Sequence, residues 1–264
     1  MDTDTASLHN GNYATVNGLQ LYYELHGAGK PLVLLHGGGS TIRSSFGHIL
    51  PQLAKTQQVI AIELQAHGHT ADIDRPLRFE QDADDVAALL KQLTIEKTDI
   101  MGFSNGGTTA LQIAIRHPRL VNKLVLASAI YKRSGMQPGF FEGMQQATID
   151  QMPLPLKEAF LLANPEPVAL LAMFNRDVAR MRGFTDISDE AIKSIQSPAL
   201  VINANAEVVL AAHAMELAQT LPHAQLAILP GGHGDYIGEI CSAKPHSSLP
   251  ALVTAMIQEF LACS

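Results

Sequence analysis

Short apolar runs alternate with amphipathic helical segments along most of the chain, and this alternation restricts the fold more than any other feature. The runs PLVLL, QQVIAIEL and KTDIMGF have the continuous hydrophobicity of strands that are buried on both faces. One intervening segment, FEQDADDVAALLKQL, places four apolar residues on one side of a helix: Val86, Leu89, Leu90 and Leu93. Strands and helices repeated in this way predict an α/β fold with a mostly parallel sheet.

The pattern extends towards both ends and is interrupted once. YATVNGLQLYYELHG predicts a hairpin with its turn at Asn17-Gly18, and VNKLVLASA, SPALVINA and AQLAILPGG predict three further strands. Residues 132–196 instead hold five prolines and helical pieces rich in Met and Phe. We therefore predict a core domain over 1–131 and 197–264, with 132–196 inserted as a helical cap.

Composition excludes several functional classes. The chain has 264 residues, 47% of them hydrophobic, and a formal charge of -7, which argues against non-specific nucleic-acid binding. No uncharged apolar run approaches the roughly 18 residues of a membrane span, and the polar start MDTDTASLHNGNY lacks a signal-peptide core. We expect a cytoplasmic monomer or homodimer. Arg176, Arg180 and Arg182 are interpreted as a solvated face, and Cys241 and Cys263 as incidental thiols.

The segment MGFSNGG contains a G-x-S-x-G motif, Gly102 to Gly106, between a predicted strand and a predicted helix. A very sharp strand-to-helix turn strains the backbone, and only small neighbours leave room for it. Such a turn lifts the hydroxyl of Ser104 above the sheet, and the helix N-terminus behind it favours negative charge. Ser104 is the candidate nucleophile.

Two further glycine-rich loops follow predicted strands. In LLHGGGS, glycines let the backbone approach a substrate, so we predict the Gly38 N–H as an oxyanion donor, with Gly39 as a near alternative. The Asn105 N–H, directly after the nucleophile, is the second predicted donor. In LPGGHGDYIGE, His233 follows the last strand, at the sheet edge where open α/β sheets bind ligands.

These motifs, in this order, resemble those of the α/β-hydrolase fold family over nearly the whole chain. The resemblance implies an eight-stranded, mostly parallel sheet flanked by helices, with a helical cap insertion. ELQAHGHT is similar to the loop after the family's fourth strand, and we interpret His67 and His69 as structural or pocket-wall residues. The order Ser104, Glu207, His233 agrees with the Ser…Asp/Glu…His order of the family.

The acid is the departure from the family pattern. The family usually has G-D-x-D after this strand, whereas this chain has Ala204-Asn205-Ala206-Glu207. Glu207 matches the acid position with one extra methylene, and it would orient the histidine and stabilise its imidazolium. The alternative is that Glu207 is a surface side chain and that the triad is incomplete.

A serine nucleophile favours acyl transfer, without metal or cofactor, to a small-molecule substrate. We predict a carboxylic ester with a small to medium hydrophobic group, and second a lactone, including acyl-homoserine lactones. Carbon–carbon bond hydrolysis is less favoured, because the glycine loop continues as STIR instead of a Pro-Gly element. Other chemistry of the same triad stays open, and so does a receptor-like binding protein with little turnover. The predicted substrate-binding residues are listed together: His36, Phe103, Phe140, Phe141, Met144 and Met173.

Overall fold

The strands form a single mostly parallel sheet. The computed structural model describes residues 11–263, so the first ten residues of the predicted core domain and most of the polar N-terminal stretch lie outside it. Its strands are β1 (Gly11–Val16), β2 (Leu19–His26), β3 (Lys30–Leu35), β4 (Gln57–Glu63), β5 (Thr98–Phe103), β6 (Val121–Ala127), β7 (Ala199–Ala204) and β8 (Ala224–Leu229).

The eight-stranded sheet has the order β1-β2-β4-β3-β5-β6-β7-β8. β2 pairs antiparallel with both β1 and β4, and every other pairing is parallel. The hairpin turn between β1 and β2 lies at Asn17 and Gly18, as predicted, and both have positive φ (49° and 81°). Two positive φ values are what a two-residue hairpin turn of the favoured hand requires.

Helices cover both faces of the sheet. They are α1 (Ile42–Phe46), α2 (Leu50–Leu53), α3 (Phe79–Gln92), α4 (Asn105–Arg116), α5 (Phe140–Gln146), α6 (Leu154–Ala163), α7 (Pro167–Arg182), α8 (Asp189–Lys193), α9 (Ala211–Thr220) and α10 (Leu249–Ala262). In the described part of the chain, every helix is too short or too polar to cross a lipid bilayer.

Side chains of each central strand alternate between two hydrophobic clusters. In β3, Val33 and Leu35 pack with α3, α4, α8 and α9, whereas Leu32 and Leu34 pack with α1, α2 and α10. All four side chains are fully buried. Burial on both faces explains why the strand is continuously apolar instead of alternating with polar residues.

Residues 132–196 contain α5 to α8, and α5, α6 and α7 form two smaller apolar clusters above the strand ends. The end of this segment behaves differently. Ile187, Ile192 and Ile195 belong to the main cluster on the α3/α4 face of the sheet. The last part of the predicted insertion therefore packs with the core domain.

Candidate active site

Ser104 lies on a strained turn between β5 and α4. Its φ and ψ are 55° and −121°, a region that non-glycine residues rarely occupy. The turn forces close backbone contacts. A Cβ on Gly102 would lie 2.0 Å from the Gly106 oxygen, and a Cβ on Gly106 would lie 2.1 Å from the Leu35 oxygen. Both glycines of the motif are thus required by space, and the turn presents Ser104 at the C-terminal edge of the sheet.

His233 and Glu207 reach this edge from the loops after β8 and β7. Nδ1 of His233 lies 2.5 Å from Oε2 of Glu207, a short hydrogen-bond contact between imidazole and carboxylate. The Glu207 side chain is fully buried, whereas the His233 side chain is 29% exposed. Glu207 therefore reaches the histidine despite its extra methylene.

The second oxygen of Glu207 is held by the core. Its Oε1 accepts a hydrogen bond from the backbone N–H of Ala204 at 2.5 Å and from the hydroxyl of Ser128 at 3.0 Å. Ser128 also contacts the hydroxyl of Tyr236, whose pKa is raised well above its usual value by burial and by the nearby Glu207 charge. The phenol therefore stays neutral. These contacts fix the carboxylate in one orientation, with one oxygen left for the histidine.

Asp235, two residues from His233, does not contact its ring. Its Oδ2 instead accepts hydrogen bonds from the Gly232 N–H at 2.9 Å and from the Lys244 ammonium at 2.6 Å. Within the described chain, the Ser104 hydroxyl makes no hydrogen bond to His233, although both residues line the same cavity. Catalytic hydrogen bonds are often long in unliganded sites and shorten when substrate binds.

Two of the three predicted oxyanion donors point to no other acceptor. The N–H groups of Gly38 and Asn105 have no hydrogen-bond partner among residues 11–263, and both residues line the cavity beside Ser104. The Gly39 N–H differs, because it donates to Oδ2 of Asp177 at 2.6 Å. The prediction of Gly39 as an alternative oxyanion donor is therefore wrong, because its N–H already donates to Asp177.

The cavity above Ser104 has a volume of about 490 Å³. Three of the predicted substrate-binding residues, Phe140, Met144 and Met173, line it. Further apolar wall residues come from the cap or from the loop after Glu207: Met136, Met152, Leu156, Phe174, Val178, Met181, Val208 and Val209. Methionine side chains are flexible, so this wall can adapt to different apolar groups.

Three predicted substrate-binding residues lie outside the cavity. His36 is buried and fully bonded, with Nδ1 at 2.7 Å from the Gly37 oxygen and Nε2 accepting from the Leu64 N–H at 3.0 Å. Phe103 is buried behind the site, with its ring centroid 4.7 Å from that of His233. Phe141 packs inside the cap against Phe184. Their side chains support the site without facing the substrate space.

A buried charge cluster beside the cavity was missed. Asp177, from α7, lines the cavity and accepts from His67 at 2.9 Å as well as from Gly39. Arg180, interpreted above as solvated, is only 6% exposed and pairs with both Asp177 and Asp82. Asp177 and Arg180 lie on the same face of α7 as the buried Met173. Charged residues at positions that share a helix face with an apolar residue were the sequence signal for a buried ion pair.

The electrostatics of this cluster follow from its partners. Burial alone would raise the pKa of the Asp177 carboxyl, but Arg180 and His67 hold it well below its usual range. Burial would lower the pKa of His67, yet the Asp177 charge raises it above its ordinary value. Burial raises the pKa of Asp82 to about 6. Asp177 therefore remains an ionised carboxylate at neutral pH, balanced by Arg180.

Comparisons with known proteins agree with this architecture. Residues 30–156 match the family model described as alpha/beta hydrolase fold. The chain is 39% identical over 106 residues to 2-hydroxymuconate semialdehyde hydrolase of Pseudomonas sp. (strain CF600), covering 38% of this chain and 36% of that one. It is 34% identical over 141 residues to the human serine hydrolase BPHL, covering 50% of this chain and 47% of that one. The matches thus span less than half the length of these curated relatives.

Among solved structures, the enol-lactonase from Burkholderia xenovorans LB400 superposes with a TM-score of 0.74 at 22% identity, covering 96% of this chain and 100% of that chain. At that identity the likeness concerns the fold. The sheet order and the strand–Ser104–helix turn define an α/β protein with a serine at the end of a central strand. The chain therefore has the α/β-hydrolase fold.

Proposed function

We propose that the protein is a serine hydrolase that cleaves neutral carboxylic esters with a hydrophobic group through an acyl-enzyme. The observation that carries this proposal is the 2.5 Å contact between Glu207 and His233 in the loops beside Ser104. A buried carboxylate paired with a partly exposed histidine beside a strained serine is the arrangement that activates a hydroxyl nucleophile.

In this mechanism Ser104 Oγ attacks the ester carbonyl carbon, and Nε2 of His233 takes the hydroxyl proton. Glu207 accepts the hydrogen bond from Nδ1 and stabilises the imidazolium. The N–H groups of Gly38 and Asn105 bind the oxyanion. The tetrahedral intermediate expels the alcohol, which receives the proton from His233. Water then attacks the acyl-enzyme with the same histidine as base, which releases the acid and restores Ser104.

The charge of the cavity favours an uncharged substrate. Among the described residues that line it there is no Lys or Arg, and one wall residue is the Asp177 carboxylate. A carboxylate substrate would lose its hydration without gaining a cation. This argues against muconate-like substrates, such as the one in the name of the Pseudomonas relative, and against carbon–carbon bond hydrolysis of such acids.

Lactones are cyclic esters and need the same attack, so they form the second substrate class of the proposal. A binding protein with little turnover is the alternative of another kind. The free N–H groups of Gly38 and Asn105 favour turnover, because a site that only binds a ligand has no need to stabilise an oxyanion. A cytoplasmic, cofactor-free monomer or homodimer stays a prediction.

The decisive experiment is labelling by a serine-reactive fluorophosphonate, with Ser104→Ala as the matched control. We expect one label per chain on the wild type and none on the variant. The substrate class is then assigned with a panel of chromogenic esters of increasing acyl length, acyl-homoserine lactones and one muconate-like dienoate, whose hydrolysis breaks a carbon–carbon bond. An unlabelled wild type would refute the serine-hydrolase proposal, and dienoate cleavage faster than ester cleavage would refute the neutral-ester assignment.

A further inference from the structure

We propose that Asp177 of the cap is a positioning residue for the oxyanion loop: it holds the Gly38-Gly39 peptide so that the Gly38 N–H faces the cavity. The proposal rests on the proposed function, since the loop matters catalytically only if an oxyanion forms beside it. Asp177 and Gly39 are separated by 138 residues in sequence and joined by one hydrogen bond of 2.6 Å.

The contacts of the loop show how the carboxylate acts on it. Gly39 has a φ of 67°, a left-handed backbone conformation that favours glycine, and its N–H points to α7, where Asp177 accepts it. Asp177 Oδ2 accepts this N–H and also lies 3.2 Å from where a Cβ on Gly38 would be. The side-chain nitrogen of Asn105 lies 2.5 Å from the same Cβ position. Gly38 is thus enclosed between a cap side chain and the nucleophile's neighbour.

A carboxylate next to an oxyanion hole would oppose the developing negative charge if it were uncompensated. Here Oδ1 of Asp177 binds the Arg180 guanidinium, and Oδ2 faces the imidazole of His67. Arg180 binds Asp82 of α3 as well, at 2.8 Å, so the charges are shared between cap and core. In this cluster Asp177 accepts a hydrogen bond from the loop, while Arg180 compensates its negative charge.

This arrangement couples the cap to the catalytic geometry. Asp177 and Arg180 are carried by α7, whereas Gly39, His67 and Asp82 belong to the core. A cap displaced from the core would leave the Gly39 N–H without its charged acceptor. The oxyanion loop is therefore complete only when α7 is seated over the strand ends.

The neighbouring residue of α7 offers a matched control. Arg176 makes a second contact between cap and core, with its Nε at 2.5 Å from Asp72 Oδ2, and it lies away from the oxyanion loop. Arg176→Met removes this contact between cap and core and leaves Asp177, Arg180 and the glycines of the loop unchanged. Asp177→Ala removes the carboxylate and leaves the Gly39 N–H only Nε2 of His67, at 3.2 Å, as an acceptor, whereas Asp177→Asn keeps an acceptor oxygen in nearly the same shape.

The test measures kcat and KM of the full chain for an ester and for the matching thionoester. Sulfur accepts hydrogen bonds more weakly than oxygen, so a thionoester depends less on the oxyanion donors. We expect Asp177→Ala to lower kcat on the ester by about 10- to 100-fold, below the loss of a donor itself. The loss on the thionoester should be clearly smaller, KM should change little, Asp177→Asn should fall between, and Arg176→Met should behave like the wild type.

Equal losses on ester and thionoester, or an equal loss in Arg176→Met, would overturn the positioning role. Circular dichroism and thermal unfolding of Asp177→Asn ensure that a folded variant is compared, because removing one partner of a buried ion pair is strongly destabilising. Fluorophosphonate labelling separates the two proposals. A wild type that is not labelled refutes the serine-hydrolase function, whereas a labelled wild type and an equally reactive Asp177→Ala refute only the role of Asp177.

Discussion

Replacement of Glu207 by glutamine exchanges one oxygen for an NH₂ group and tests the acid directly. Oε1 accepts from the Ala204 N–H at 2.5 Å and from Ser128, while Oε2 lies 2.5 Å from His233 Nδ1. An amide turned towards Ala204 would set two donors against each other and leave a buried N–H unsatisfied, at a cost of about 1–3 kcal/mol. The amide oxygen therefore stays with Ala204, and the NH₂ turns to His233.

That orientation gives the wrong histidine tautomer. The amide donates to Nδ1, so the proton moves to Nε2, which can then no longer accept a proton from Ser104. The corresponding amide in a protease triad lowers kcat by about 10⁴, which is about 5.4 kcal/mol of transition-state stabilisation. Glu207→Asp withdraws the carboxylate by ~1.5 Å, one C–C bond. We expect an intermediate kcat for that variant.

The assay is kcat and KM on the best ester of the panel, with thermal unfolding to verify the fold. Glu239→Gln is the matched control. Glu239 is a buried carboxylate near His233, but its Oε2 accepts from the Cys241 N–H at 2.8 Å, and it makes no hydrogen bond to the ring. We expect this variant to stay close to the wild type. A Glu207→Gln enzyme with nearly unchanged kcat would refute the assignment of the acid.

Three further predictions concern the scaffold. Gly106→Ala should yield no folded protein that fluorophosphonate labels, because its Cβ would lie 2.1 Å from the Leu35 oxygen. A folded and active variant would contradict the geometry of the Ser104 turn. Burial and the neighbouring His67 lower the pKa of His36 from 6.5 to about 3. As pH falls from 6.5 towards 3, His36 is protonated in the unfolded chain but stays neutral in the folded protein. The free energy of unfolding should therefore decrease over this pH range, and denaturant titrations of His36→Asn should show a weaker pH dependence. Gly143 lines the cavity within α5, and its Cβ position is open. Gly143→Ala should stabilise the protein by about 0.5–1 kcal/mol in denaturant unfolding, and Gly143→Phe should shorten the longest acyl chain hydrolysed in the ester panel.

Local rules predicted most of the scaffold. The Asn17-Gly18 turn, the buried strands and the strand–Ser104–helix turn each depend on a few neighbouring residues, so sequence alone was informative about them. Chain order and loop position also singled out Glu207 and His233. Side-chain direction was harder: His36 and Phe141 lie in the predicted segments but point into the core and the cap. A residue type does not show on which side of a loop or helix the substrate will lie.

The sequence by itself determined an α/β fold, the strained serine turn and the loops that carry the histidine and the acid, because sterics and hydrophobic period act over short stretches. Only the tertiary structure decided whether Glu207 reaches His233 and that the Gly39 N–H is occupied. It also decided that Arg180, in a group of arginines typical of a solvated face, is buried in the cap. The physical reason is that a charge is buried only where partners compensate its lost hydration, and the partners of Asp177 and Arg180 come from elements about a hundred residues distant in the chain.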